Sequence, residues 1–103
     1  MMDHARTRIV RVLFLIPSWA AAQVLWPRII LVKRDTNLTV GLISHELVHI
    51  EQLEDRGLFG FWWQYLRLLR KHGYREHPME VEARAGANDT ERRAAAKRLI
   101  ARS

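Results

Sequence analysis

The chain has 103 residues and a formal net charge of +6, and 49% of its residues are hydrophobic. This length fits one small domain, and a charged fraction of 27% argues against a protein embedded in a membrane. The sequence contains no cysteine, which excludes disulfide bonds and thiolate metal sites. A chain this small often needs stabilisation besides its core, for which we consider a metal ion held by His, Asp or Glu, or a partner chain.

The N-terminal region combines basic residues with a short apolar run. Three arginines come before the apolar run at residues 12–16, and alanines follow it at 20–22. This order is that of a secretory signal in residues 1–22, but the run is short and Pro17 interrupts it. It is also shorter than the ~20 apolar residues of a membrane span. We therefore favour a strand or helix that closes the core of a cytoplasmic protein. The alternatives are secretion, contact with a membrane surface, and pairing with a second copy.

A strand and a long helix are predicted next along the chain. Residues 29–32 are apolar, three of them are β-branched, and charged residues flank them, which predicts a strand. From Leu38 to Arg56 the apolar residues recur at helical spacing. Asn37 or Thr39 can cap the start of this helix, and Gly57 can end it in the left-handed conformation.

A second helix is predicted from Phe59 to His72, where Gly73 ends it. Apolar residues form a broad face of this helix, and we interpret them as core. The alternative is a substrate or membrane-surface patch built on the Trp62–Trp63 pair. The predicted apolar face comprises Phe61, Trp62, Tyr65, Leu66, Leu68 and Leu69.

Two shorter helices complete the prediction. Pro78 fits the first turn of one helix, with His77 near its cap. Residues 86–89 interrupt that helix, and a last helix is expected over residues 90–101.

Residues 88–103 form a basic end with five positive and two negative charges, a net charge of +3. We expect a solvated or frayed helix there, and we treat residues 1–103 as a single minimal domain with a core at about 12–87. No motif that reads DNA or RNA accompanies the charge, so nucleic acid is not the expected partner.

The most informative segment is a His-Glu-x-x-His pattern formed by His45, Glu46 and His49. Its i, i+4 spacing places the two histidines one helical turn apart on one face, where both imidazoles can reach one ion. Glu46 can lean toward the open side of that ion and take a proton from its bound water. The composition predicts about 0.02 chance matches to this pattern, and the apolar neighbours argue against two surface histidines. We therefore predict a site for Zn²⁺.

A catalytic zinc ion usually takes three protein ligands, and cysteine is excluded as the third. Glu80 and Glu82 lie in a predicted helix, which would hold a ligand rigidly. Small residues beside Glu80 would let this helix approach the motif helix closely. The full set of candidates is His77, Asp89, Glu76, Glu80, Glu82 and Glu91.

Two stretches of the chain resemble the small gluzincin-type zinc metallopeptidase domains. The first is HELVHIEQ at residues 45–52, and the second is the Gly73–Tyr74 pair followed by HPMEVEA at residues 77–83. The resemblance covers roughly residues 28–85. It implies an α+β fold that is mostly helical, in which the motif helix packs on a small sheet edge and against a downstream glutamate helix.

The resemblance also bears on the third ligand. In that family it is a glutamate on a later helix, often in a Glu-x-x-Ala pattern followed by Asp or Asn. Residues 80–83 match the first four positions, so the resemblance favours Glu80 over Glu82. Arg84 stands where many relatives have Asp or Asn, and it cannot support a metal ligand in the same way.

These observations predict a zinc-dependent hydrolase, most simply a metallopeptidase that acts on a peptide or protein. Glu46 would be its general base, and Tyr74 or His77 could donate a hydrogen bond to a developing oxyanion. The other interpretations are a core or loop aromatic for Tyr74 and a helix cap for His77. The alternative class of protein is a zinc-stabilised interaction domain without catalysis, because little chain is left for both walls of a substrate cleft.

Four further polar residues are expected outside the set of metal ligands. His4 and His72 are expected to be solvated. Glu51 and Gln52 are expected at the surface or beside the metal ligands.

Overall fold

The computed structural model describes residues 4, 6–12, 22–26 and 28–103. Within these ranges it is an α+β fold that is mostly helical, as the sequence predicts. The strands are β1 (Arg8–Val12), β2 (Ala22–Trp26) and β3 (Ile29–Lys33). The helices are α1 (Val40–Arg56), α2 (Leu58–His72), α3 (Pro78–Gly86) and α4 (Thr90–Arg102).

The strands form one mixed sheet with β3 in the centre. β3 runs parallel to β1 and antiparallel to β2, so that Ile30 lies opposite Ile9 on one side and Val24 on the other. The side chains of Ile30 and Val32 are fully buried. The motif helix α1 packs against β2, and α4 lies beside β1. The strand predicted at residues 29–32 is confirmed, and the structure shows it in the centre of the sheet.

Helix α1 has clear signals at both ends. The Thr39 hydroxyl accepts a hydrogen bond from the Leu42 N–H at 3.1 Å, so Thr39 rather than Asn37 is the cap. The helix ends at Gly57, whose φ of 76° favours glycine and whose N–H donates to the Leu53 carbonyl. Between these ends, one face of α1 is fully buried and forms the centre of the core. Its large apolar residues are Ile43, Leu47, Ile50 and Leu53.

Helix α2 buries less of its apolar surface than the sequence predicts. Phe61 and Tyr65 are buried in the core, and their rings stack at 5.8 Å. The prediction for Leu66 is wrong, because its side chain is 57% exposed. The run of apolar residues in α2 covers more of the helix circumference than α1 can cover, so part of it faces outward.

The expectation of a solvated or frayed last helix is also wrong. Helix α4 packs against α1 and buries Ala95, Ala96 and Leu99. Two adjacent alanines let the backbones of α4 and α1 approach closely. The prediction counted only large apolar residues, so it missed a buried helix face made mostly of alanine. The core therefore extends beyond residue 87.

A polar cluster joins α4 and His4 to α1. Both carboxylate oxygens of Glu51 accept hydrogen bonds from Arg92, at 2.7 and 2.8 Å. Glu51 also bonds to His4 Nε2 at 3.0 Å, and His4 is buried, so the expectation of a solvated His4 is wrong. Burial would raise the pKa of Glu51, but these hydrogen bonds outweigh it and lower the pKa.

Part of the predicted N-terminal segment lies outside the described residues. The residues concerned are the apolar run at 13–16, Ala20 and Ala21. The predictions of a closing segment and of a secretory signal depend on these residues and stay predictions. None of the described helices is both long and apolar enough to span a bilayer.

Gly86, at the end of α3, provides a test of how closely the helices pack. A Cβ atom there would lie 2.9 Å from Cγ2 of Val48 and 3.1 Å from Nη1 of Arg92. We expect Gly86→Ala to lower the free energy of unfolding by about 1–3 kcal/mol through overpacking. The measurement is urea unfolding followed by circular dichroism.

Gly41→Ala is the matched control, because a Cβ atom at this position of α1 meets nothing within 4 Å. It should leave stability unchanged or raise it by up to about 1 kcal/mol, since alanine favours helix. Equal stabilities of the two variants would contradict the close packing of α3 on α1.

Candidate metal centre

Helix α1 presents its two motif histidines side by side. His45 and His49 are one turn apart, and their ring centroids are separated by 5.0 Å at an interplanar angle of 72°. The His49 side chain is 6% exposed and that of His45 is 17% exposed. Access from solvent is therefore greater on the side of His45.

Helix α3 brings a carboxylate to these imidazoles. Glu80 lies in the first turn of α3, and its Oε1 is 2.9 Å from Nε2 of His45 and 3.0 Å from Nε2 of His49. One ligand atom from each of the three residues lies within 4.8 Å of the other two. Among the described residues, this is the group of three that could hold a metal ion.

The other candidates for the third ligand lie elsewhere. Glu82 accepts a hydrogen bond from Gln52 Nε2 at 2.7 Å, and Asp89 caps α4. Glu76 and Glu91 are exposed and do not belong to the group. Of the candidates that the sequence leaves open, Glu80 is the one that the structure brings to both histidines.

Two side chains hold the ligand residues in place. Gln52 accepts a hydrogen bond from Nδ1 of His49 at 2.8 Å, and its amide nitrogen donates to the Met79 carbonyl at 3.1 Å. The hydroxyl of Tyr65 donates to Oε2 of Glu80 at 2.5 Å. Gln52 thus orients one imidazole, and Tyr65 leaves Oε1 of the carboxylate turned toward the histidines.

The hydrogen-bond partners of His49 bear on its protonation state in the absence of a metal. Gln52 Oε1 and Glu80 Oε1 both act as acceptors, so without a metal these contacts favour the protonated form of the His49 ring. Burial would lower the pKa of His49, but the hydrogen bond to Glu80 and the charge of Glu46 outweigh it and raise the pKa to about 9. Burial would raise the pKa of Glu80, but the same histidines outweigh it and lower the pKa. The pair is an ion pair, and zinc would replace the proton on Nε2 of His49.

Glu46 lies beside this cluster without belonging to the ligand group. It is buried, and burial raises its pKa, against the opposing charges of His49 and His45. A carboxylate near a metal site that does not itself bind the metal is available to move protons.

Tyr74 lies near the same carboxylates and is 39% exposed. Burial raises the pKa of Tyr74 to about 12, with contributions from the charges of Glu80 and Glu46. Its phenol therefore stays a neutral hydrogen-bond donor at the edge of the site.

His77 is fully buried and acts as a helix cap. Its Nδ1 accepts a hydrogen bond from the Met79 N–H at 3.1 Å, and its Nε2 donates to the Tyr65 carbonyl at 2.8 Å. Both ring nitrogens are engaged with backbone, so the geometry favours the cap over a role in binding an oxyanion.

Tyr65 is the residue of the site that the sequence interpretation assigns only to the core. The signal that could identify it is the hydroxyl itself, because a tyrosine on an apolar face needs a polar partner. The Tyr65 hydroxyl supplies the hydrogen bond to Glu80 that the arginine at residue 84 does not provide. Arg84 instead donates a hydrogen bond to the Arg75 carbonyl.

The donor set suits zinc. Two imidazole nitrogens and one carboxylate oxygen are ligands that zinc accepts, and three protein ligands leave a position for water or substrate. Comparisons with models of known protein families, with curated proteins and with solved structures find no match for this chain. The resemblance to gluzincins therefore stays a prediction from the sequence motifs.

The roles of the two glutamates on α3 can be separated by zinc affinity. We expect Glu80→Gln to weaken zinc binding at least about 100-fold, because a neutral amide replaces a charged ligand. Glu82→Gln should weaken it about tenfold or less, because Glu82 acts only through Gln52. Competition with a chromophoric chelator measures both affinities. A larger loss of zinc affinity in Glu82→Gln than in Glu80→Gln would show that Glu82, and not Glu80, is the ligand.

The charged state of His49 predicts how stability depends on pH without metal. Its pKa is higher in the folded chain than in the unfolded chain, so its stabilising contribution is complete below pH 6.5 and is lost as the pH rises through about 9. We expect the free energy of unfolding to fall by about 2–3 kcal/mol over this interval. Urea unfolding at a series of pH values in the presence of a chelator measures it.

His49→Gln should flatten this pH dependence, whereas His72→Gln, at an exposed position of α2, should leave it unchanged. An identical slope in the His49 variant would show that the ring is neutral in the folded protein.

Proposed function

We propose that this chain is a zinc-dependent hydrolase of the gluzincin type and that its substrates are peptides or proteins. The observation that carries the proposal is the convergence of His45, His49 and Glu80 on one point, with Glu46 buried beside them and outside the ligand group. Structural zinc sites usually have four protein ligands, whereas three protein ligands with an open position are typical of catalytic sites.

The chain's own residues divide the work of holding the ion. His45, His49 and Glu80 would bind zinc, while Gln52 and Tyr65 fix the directions of an imidazole and the carboxylate. Zinc held there would polarise a scissile carbonyl and lower the pKa of a coordinated water to about 7.

Glu46 would move the proton. Its carboxylate accepts a proton from the attacking water as the new C–O bond forms, and then delivers it to the amine nitrogen as the C–N bond breaks. One side chain thus serves as base and then as acid, and the proton count balances over one hydrolysis.

Tyr74 would stabilise negative charge on the substrate oxygen. Its hydroxyl would be a neutral donor, and its partial exposure leaves it accessible to a substrate.

Glu46→Gln tests the proposal directly. We expect the variant to bind zinc like the wild type and to lose activity by a factor of about 100 or more, because the amide cannot accept the proton. Zinc content is measured by mass spectrometry, and activity by hydrolysis of a fluorescently labelled casein.

Glu76→Gln is the control, because this glutamate is exposed and lies outside the ligand group. It should keep both zinc and activity. Equal activity of wild type and Glu46→Gln would remove Glu46 from the mechanism. Stoichiometric zinc without hydrolysis by the wild type would favour the zinc-stabilised interaction domain instead.

A further inference from the structure

The outer face of α2 is apolar and exposed. Phe59, Trp63 and Leu66 are 87%, 75% and 57% exposed, which is unusual for such large side chains. Their i, i+4, i+7 spacing places them in one row along the helix, on a different face from the buried Phe61 and Tyr65. We call this row the apolar stripe of α2.

Basic residues accompany the stripe. Arg67, Arg70 and Lys71 are exposed, and α2 contains no acidic residue. At about 100° per residue, Arg70 falls within the stripe, and Arg67 and Lys71 fall along one side of it. Among the described residues, none forms an ion pair with these three basic side chains.

We propose that the apolar stripe of α2 binds the surface of an anionic membrane. Exposed Trp, Phe and Leu with flanking Arg and Lys are the composition of a helix that lies in the interfacial plane of a bilayer. The aromatic rings enter the boundary between headgroups and acyl chains, and the guanidinium and ammonium groups reach lipid phosphates and carboxylates. The recognised chemistry is a negatively charged lipid surface.

The same observations disfavour a second copy of the chain as the occupant. The three side chains of the stripe offer roughly 450 Å², about half of the 800 Å² that each partner contributes to a standard interface. Two stripes in contact would also bring together basic residues with no acidic residue on α2 to neutralise them. A membrane avoids both difficulties, because its surface supplies negative charge and an apolar phase.

This inference is independent of the proposed hydrolase activity, because none of the stripe residues belongs to the metal centre. Binding to lipid vesicles can be measured whether or not the protein cleaves peptides.

Vesicle co-sedimentation tests the proposal with the full chain. We expect binding to phosphatidylcholine vesicles that contain about 30% phosphatidylserine and weak binding to phosphatidylcholine alone. Trp63→Ser should weaken binding to the anionic vesicles about tenfold or more, because it removes the largest inserted ring. The double variant Arg70→Gln, Lys71→Gln should weaken it about thirtyfold.

Two matched controls come from helices outside the stripe. The double variant Lys97→Gln, Arg98→Gln removes the same charges from exposed positions of α4, and Val81→Ser removes an exposed apolar side chain from α3. Both should bind vesicles like the wild type, and circular dichroism should show every variant folded, because all the altered positions are exposed.

Three outcomes would overturn the proposal. One is a wild type that does not bind anionic vesicles, and another is equal binding by wild type and both stripe variants. The third is a dimer in analytical ultracentrifugation that Trp63→Ser dissociates while vesicle binding is absent, which would assign the stripe to a second copy.

Discussion

The geometry of the candidate site depends on one carboxylate placed between two imidazoles. Glu80 and the histidines belong to different helices, so their contact exists only where α3 lies at a fixed distance from α1. The absence of a side chain at Gly86 permits this approach, and Gln52 ties the two helices through the Met79 carbonyl. A buried charge in such a place is stable only with its partners, so packing and electrostatics require the same arrangement.

Features that depend on neighbouring residues could be predicted from the sequence. The ends of α1 follow from a hydroxyl at Thr39 and a glycine at 57, each of which acts on backbone groups within one turn. The pairing of His45 with His49 follows from helical spacing alone. The cap at His77 and the start of α3 at Pro78 are local in the same sense.

Contacts between residues distant in sequence could not be predicted in this way. Tyr65 meets Glu80 across 15 positions, and His4 meets Glu51 across 47. A periodicity assigns Tyr65 to an apolar face but cannot show which polar group its hydroxyl meets. The packing of α4 could not be predicted for another reason. Its buried face consists mostly of alanines, which pack by close approach of the helix backbones and give no pattern of large apolar residues. The third ligand is an exception, because the motif resemblance and the small residues beside Glu80 favour it over Glu82, and Glu80 is the one that meets both histidines.

Helix α2 joins two parts of the molecule that have no residue in common. Its buried side carries Tyr65, which holds Oε2 of Glu80 through a bond of 2.5 Å, and its outer side carries Phe59 and Trp63. A lateral displacement of the helix by about 1 Å would break a hydrogen bond of this kind. The orientation of the Glu80 carboxylate therefore depends on the position of α2, whose opposite side is exposed.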